Sequence, residues 1–282
     1  MVRIIVDSAA DFEPHELEAL NIGCIPLTVM FGEEAYQENV NLSKDQFYEK
    51  LLGSGIYPHT SRPSPYDLEC LFKDIRESGD EAVVLILSSK ISGTYQDVCM
   101  AAKNSGCGAN CIVVDSKNGT GGIRMQAEYA CRLRDEGCNA REIVDGIKSI
   151  RGRISLYACL DTLEYLKKGG RISAAVAAMG TLARVKPIIQ VSESGTIEVP
   201  AKALGMVRGQ MYIMDRFAEN PPDPNHPIYV MYTHVRENAL KLVERLAKIG
   251  VNIPEERIIN VGAAIGSHVG PNAVGMVYVK KG

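Results

Sequence analysis

Short apolar runs alternate with amphipathic stretches through the first half of the chain. RIIVDS, VVLILSS and CIVVDS are rich in β-branched residues, and each closes on an Asp-Ser or Ser-Ser pair, the pattern of strands that run into turns. The stretches between them carry helix-start signals. Ser43 followed by Gln46 makes a capping box before FYEKLL. Ser64-Pro65 supplies an N-cap and a first-turn proline before YDLECLFKDIRES. Ser92 is placed to cap GTYQDVCMAAKN, and Asn118 or Thr120 to open GIRMQAEYACRLRDEG. Strand, loop and helix in repetition predict a parallel sheet covered by helices, with a ligand crevice at the carboxyl ends of its strands. Asp7, Ser8, Ser88, Ser89, Asp115 and Ser116 fall at those ends.

Two departures from this pattern divide the chain. CIPLTVMFGEEAYQE reads as two strands around a tight turn, so residues 22–40 are expected to pair elsewhere, with the second domain as one partner. Beyond residue 152, LYACL, KPIIQVS, GTIEVPAK, PIYVMYTH, RIINVG and AVGMVYVKK give six strands, the second and third forming a hairpin. The helices there are LEYLKK, ISAAVAAMGTLA, MVRGQMYIMDRFAE and ENALKLVERLAK. The expected fold class is α/β in two domains: a parallel-sheet domain over 1–152 and an α+β domain with a largely antiparallel sheet over 153–282.

Composition narrows the function classes. The 282 residues carry a net charge of −3 with acids and bases interspersed, so no basic face points to nucleic acid. No apolar run reaches the roughly 20 residues of a membrane span. MVRIIVDSAAD lacks a signal-peptide plan, and a soluble cytoplasmic protein is expected. The eight cysteines are scattered without a CxxC pair and read as reduced, mostly buried thiols. Cys107 and Cys111 have no second ligand pair nearby, so no metal site is expected.

Three polar stretches carry candidate chemistry. In Thr60-Ser61-Arg62-Pro63-Ser64-Pro65 the prolines stiffen the backbone and present two hydroxyls beside a helix N-terminus, which favours anions. Capping accounts for Ser64 but leaves Thr60 and Ser61 without a task. Ser88-Ser89-Lys90-Ile91-Ser92-Gly93-Thr94-Tyr95 follows an apolar strand and makes a similar cradle, in which capping and ligand donation compete for Ser92. In the loop from Gly262 to Asn272, glycines flank His268, which once protonated donates to a carboxylate or phosphate. A fourth stretch, LEYLKKGGRI, is mostly a helix stop, but that does not explain Arg171, whose planar fork suits a carboxylate or an acidic surface. Asn118-Gly-Thr-Gly-Gly122 lacks the lysine of a phosphate loop, and no G-x-S-x-G elbow occurs.

Together, IVDS, TSRPSP, SSKISGTYQ, DTLEYLKKGGRI, VKPII and GSHVGPNAVG, in this order, resemble the DegV family over essentially the whole chain. The resemblance implies an α/β and an α+β domain with one long-chain fatty acid enclosed between them. It implies a carrier without a cofactor rather than an enzyme, one that presents the acyl carboxylate to a separate bacterial fatty acid kinase for acyl-phosphate formation. On this likeness the hydroxyls of Thr60 and Ser92 contact the carboxylate, and Arg171 and His268 belong to its hydrogen-bonded surroundings. Ser61 and Gly93 complete the expected ligand-binding set, and Arg208 faces the kinase. Arg62 stands where the family usually has glutamine, and Asn272 where it usually has glycine. Arg62 either adds charge near the head group or points to solvent; Asn272 tolerates positive φ.

A fatty acid suits the physics. Burial of a 16-carbon chain offers roughly 12 kcal/mol before binding costs, so the tail supplies affinity and the head orientation. ISAAVAAMGTLA and the Met30-Phe31 strand are candidates for tunnel wall, although core packing explains both equally. The competing readings are an acyl or phosphoryl hydrolase or transferase using Ser92 or Ser61 with His268, and a nucleotide-dependent kinase. The first lacks a carboxylate near His268 to orient it, and the second lacks a phosphate loop.

Overall fold

A computed structural model describes residues 1–108, 110–173 and 184–282. Strands β1 (Val2–Asp7), β2 (Ile22–Ile25), β6 (Glu81–Ile86) and β7 (Cys111–Asp115) form a parallel sheet in the order β2-β1-β6-β7. From Ala82 to Ile86 every residue of β6 is buried, as a central parallel strand covered on both faces requires. Its covering helices are α3 (Pro65–Ser78), α4 (Thr94–Asn104), α5 (Gly121–Asp135) and α6 (Ala140–Arg151).

Residues 22–40 do not pair with the second sheet. β2 pairs with β1, whereas β3 (Thr28–Phe31) lies between β4 (Glu34–Gln37) and β5 (His59–Ser61) in a small antiparallel sheet. The second half contributes all six of its expected strands: β8 (Ile154–Cys159), β9 (Val185–Val191), β10 (Ile197–Leu204), β11 (Tyr229–Tyr232), β12 (Ile258–Asn260) and β13 (Val274–Val279), with the short helix α7 (Glu164–Lys168) after β8. They run in the order β10-β9-β8-β13-β11-β12, antiparallel throughout except for β11 against β12.

Period-two alternation along β8 decides what each face of this sheet meets. Tyr157 and Cys159 turn outward into the cluster built with Ile213 and Phe217 of α8 (Met206–Glu219) and Leu242 and Leu246 of α9 (Arg236–Ala247). Leu156, Ala158 and Leu160 turn inward and line a cavity. Helix α5 is held between the sheets, packing on β1 and β6 on one side and on β8 and β13 on the other. The approach leaves no room for a side chain at Gly121, where an added Cβ would lie 2.7 Å from Val277.

Local chemistry sets several boundaries. The expected Ser43–Gln46 capping box opens α2 (Lys44–Gly53), and Ser64 with Pro65 opens α3; an N-cap of this kind is worth about 1 kcal/mol. The first helix, α1 (Pro14–Ala19), and α6 have boxes of the same form from Glu13–Glu16 and Asn139–Glu142, which the apolar pattern did not single out. Gly93 rather than Ser92 is the N-cap of α4, and Thr120 precedes α5 without a side-chain cap. Residues 59–61, not among the expected strands, form β5, and His268 lies not in a loop but on a short helix, α10 (Ala263–Val269). Residues 174–183, most of the small-residue helix considered as tunnel wall, lie outside the described residues.

Candidate ligand-binding site

A cavity of about 780 Å³ lies between the two large sheets, well within the size of small-molecule sites. Its walls are mainly apolar. Leu27, Leu87 and Ile91 come from the first half, and Leu156, Leu160, Ile189, Val261 and Ala273 from the second. Met30 and Phe31 do not border it; Phe31 packs instead with Phe47 and Tyr48 in a separate cluster.

Thr60, Ser61, Arg62, Ser92, Gly93, Thr94, Arg171 and His268 are the polar end of this lining. Direct contacts tie most of them together. Thr60 Oγ1 lies 2.8 Å from His268 Nε2. Arg171 acts electrostatically on His268 and donates from Nε to the Ile91 carbonyl at 3.2 Å, next to Ser92. The Arg62 side chain lies over Gly93, so that an added Cβ there would sit 3.2 Å from its Cδ. Four chain segments, two from each half of the fold, thus meet at one place.

Backbone order positions each group. Pairing of Val29 with Thr60 in β5 fixes the threonine, and the alternation of the strand leaves His59 and Ser61 exposed while Thr60 is partly covered. Ser61 borders the cavity, but its hydroxyl donates to the Arg62 carbonyl at 3.3 Å. Ser92 Oγ accepts the Thr94 N–H at 3.2 Å and lies 2.8 Å from Thr94 Oγ1. Ser92 Oγ thus serves α4 as an acceptor, and in the arrangement where Thr94 Oγ1 donates to it the Ser92 hydrogen is left for a ligand. The Arg62 side chain is largely exposed, and its charge is matched by Asp97 at 2.9 Å.

His268 is 9 % exposed, and burial, reinforced by the nearby Arg171 and His59, pushes its pKa down to about 3. The imidazole is neutral at physiological pH, and the protonated donor of the sequence reading requires a nearby anion to raise that value. Its Nδ1 has no partner among the described residues. A bare lone pair is easier to leave there than a buried N–H, so the hydrogen belongs on Nε2, donating to Thr60. The Thr60 hydroxyl is then free to donate into the cavity. Gly169 makes this ring position possible, since a Cβ there would fall 2.1 Å from Nδ1.

Arg171 is half-buried, and its burial lowers its pKa from the usual 12.5. Among the described residues it donates to the carbonyls of Ile91 and Gly169 and has no carboxylate partner. The site is thus an uncompensated guanidinium with two available hydroxyls above an apolar chamber. It suits a monoanion with a long apolar tail. A nucleophile–base pair of Ser92 or Ser61 with His268 is not formed: the imidazole meets Thr60, and no carboxylate orients its other nitrogen.

The strand-end polar residues expected to line a crevice are instead structural. Asp7 Oδ2 accepts the Leu87 N–H at 2.8 Å, Ser88 donates to Gly195, and Ser89 bonds to Asp115. Sequence reasoning missed a buried acidic group behind the site, where Asp11 accepts the N–H of Gly262 and Glu38 that of Ala264 at the start of the histidine-bearing helix. Nothing local marked it, since Glu38 is flanked by Gln37 and Asn39 and Asp11 lies two residues from Glu13. Asn272, as expected, takes positive φ, at 67°. Arg208 is remote from the cavity, on the exposed face of α8 beside Val207 and Met211. Among the described residues no cluster suits a metal ion, and no helix is long and apolar enough to cross a membrane.

DegV domain-containing proteins of Caldanaerobacter subterraneus subsp. tengcongensis and Halalkalibacterium halodurans are 31 % and 32 % identical to this chain, each match covering 99 % of both chains. Among solved structures, a DegV family protein from Thermus thermophilus described by its fatty acid binding superposes with a TM-score of 0.87 at 26 % identity. DegV from Bacillus subtilis, described as a fatty acid binding protein, superposes with a TM-score of 0.86 at 28 % identity; each covers 99 % of both chains. A family model described as "Uncharacterised protein, DegV family" matches residues 1–281. With that match running nearly end to end, through every segment that builds the cavity, the chain belongs to the DegV family.

Proposed function

We propose that this protein binds one long-chain fatty acid between its two halves and presents the carboxylate to a fatty acid kinase. The carrying observation is Arg171, a half-buried cation with no carboxylate partner among the described residues, set beside Thr60 and Ser92 on an apolar cavity. The carboxylate accepts hydrogen bonds from Thr60 and Ser92 and takes Arg171 as counter-charge, while His268 orients Thr60. The tail occupies the space between Leu27, Leu87 and the inward residues of β8 and β9. Fatty acid binding by the Thermus thermophilus and Bacillus subtilis relatives supports this reading.

The site positions a head group without a base or nucleophile set for chemistry, which favours a carrier in the cytoplasm over an enzyme. Arg208 and its exposed apolar neighbours on α8 are the proposed kinase-facing surface. Mass spectrometry of organic extracts from purified protein tests the binding. One fatty acid per chain is the expected result; protein that carries none and takes up none from a defined mixture contradicts it.

A further inference from the structure

A second cavity, of about 310 Å³, opens on the opposite side of α5 from the parallel sheet, between α5 and the proline-rich loop before β11. Its lining includes Arg132, Arg257, His226, Asn225 and Tyr129. Neither Arg132 nor Arg257 has a carboxylate partner among the described residues; Arg132 stacks on Tyr129 at 4.7 Å, which also meets the His226 ring edge-on at 5.3 Å. The single carboxylate in the lining, Glu128, is already engaged by Arg124 and the Tyr229 hydroxyl. Two arginines without a carboxylate partner among the described residues, the exposed Arg132 and the partly covered Arg257, give this concavity a positive lining that suits an anion.

The loop is held ready. Asp223 pairs with Arg153 at 2.9 Å and accepts the Asn225 N–H at 3.0 Å, and Pro224 and Pro227 stiffen the backbone on either side of His226. Burial is the main reason that the His226 pKa lies below 6.5; Asp223 raises it, and Arg132 and Arg153 add to the lowering. An anion bound here raises that value and makes the imidazole a third charged donor.

We propose that Arg132, Arg257 and His226 form a second binding site, separate from the lipid cavity, for a small phosphate-bearing anion. The volume lies at the lower limit of small-molecule clefts, which favours inorganic phosphate or a compact phosphomonoester over a nucleotide. Because α5 belongs to the first half and the loop and Arg257 to the second, the ligand bridges them.

Calorimetric titration of the full chain with inorganic phosphate and with glycerol 3-phosphate, against sodium chloride at equal ionic strength, tests this. Saturable one-to-one binding of either compound is expected, weakened about tenfold or more in each of Arg132→Ala and Arg257→Ala. The tighter of the two compounds identifies the source of the phosphate. Neither residue borders the lipid cavity, so the result reads independently of the fatty acid proposal, and an unchanged unfolding midpoint without phosphate verifies that the variants are folded. A response no different from sodium chloride, or binding that survives both substitutions, overturns the proposal.

Discussion

Thr60 Oγ1 and His268 Nε2 lie 2.8 Å apart although 208 residues separate them in sequence. The contact joins a strand of the small sheet to the helix that precedes the last strand of the large one, across the mouth of the cavity. With Nε2 as donor, the histidine fixes where the Thr60 hydrogen points. Each group has a different task, and the tasks are separable by substitution.

Thr60→Val keeps the shape of the side chain and removes the donor. Fatty acid affinity is expected to fall by about 1 kcal/mol, some fivefold. His268→Gln offers an N–H to Thr60 without a ring and is expected to fall less than His268→Ala. Competition with a fluorescent fatty acid measures all three; equal losses for Gln and Ala would contradict the orienting role.

Arg171→Gln removes the counter-charge while leaving hydrogen-bond donors. A loss of about 1.5–3 kcal/mol is expected, the range for hydrogen bonds to charged groups. A fatty alcohol, which has no charge to match, is expected to bind wild type and variant alike. The ratio of acid to alcohol affinity in the two proteins reads the effect directly.

Gly169→Ala places a methyl group 2.1 Å from the present position of His268 Nδ1, so the ring has to move and Thr60 loses its partner. Weaker fatty acid binding is expected, with circular dichroism unchanged. Gly152→Ala, where nothing lies within 4 Å, is the control and is expected to bind normally.

Proton linkage of stability should run opposite to that of an ordinary surface carboxylate. Burial raises the pKa of Asp7 from its usual 3.8 to about 7, and also raises those of Asp11 and Glu38. The native state then binds more protons than the unfolded chain between those values, so the contribution of Asp7 is full below pH 4 and is lost as pH rises through 7. Asp7→Asn, with its carbonyl still available to the Leu87 N–H, should flatten this slope and raise stability at pH 8. Denaturant unfolding from pH 5 to pH 8 measures it; a wild-type stability that climbs across that range in parallel with the variant's would show that the buried carboxyls are not the cause.

Much of this was legible in the sequence because the signals were local. The β-branched runs gave the parallel strands, and Ser43–Gln46 and Ser64-Pro65 marked two helix starts where they occur. Thr60, Ser92, Arg171 and His268, which line one cavity, were singled out because their neighbourhoods held more hydroxyl, charge and glycine than turns and caps require. What stayed hidden was set by long-range packing. Strand β5 exists because Thr60 pairs with Val29, and no local apolar alternation announces it. His268 is neutral because the fold buries it beside Arg171, and the serines at the strand ends were misread because their partners, such as Gly195 for Ser88, lie far along the chain.

The central claim is that a carboxylate sits at Thr60, Ser92 and Arg171 with its tail between the sheets. A crystal structure with a terminally brominated fatty acid tests it most directly. The account predicts carboxylate density within hydrogen-bonding distance of Thr60 and Ser92, and an anomalous bromine peak enclosed by the apolar walls near Leu156 and Ile189. Bromine at the polar mouth, or density confined to the protein surface, would contradict it.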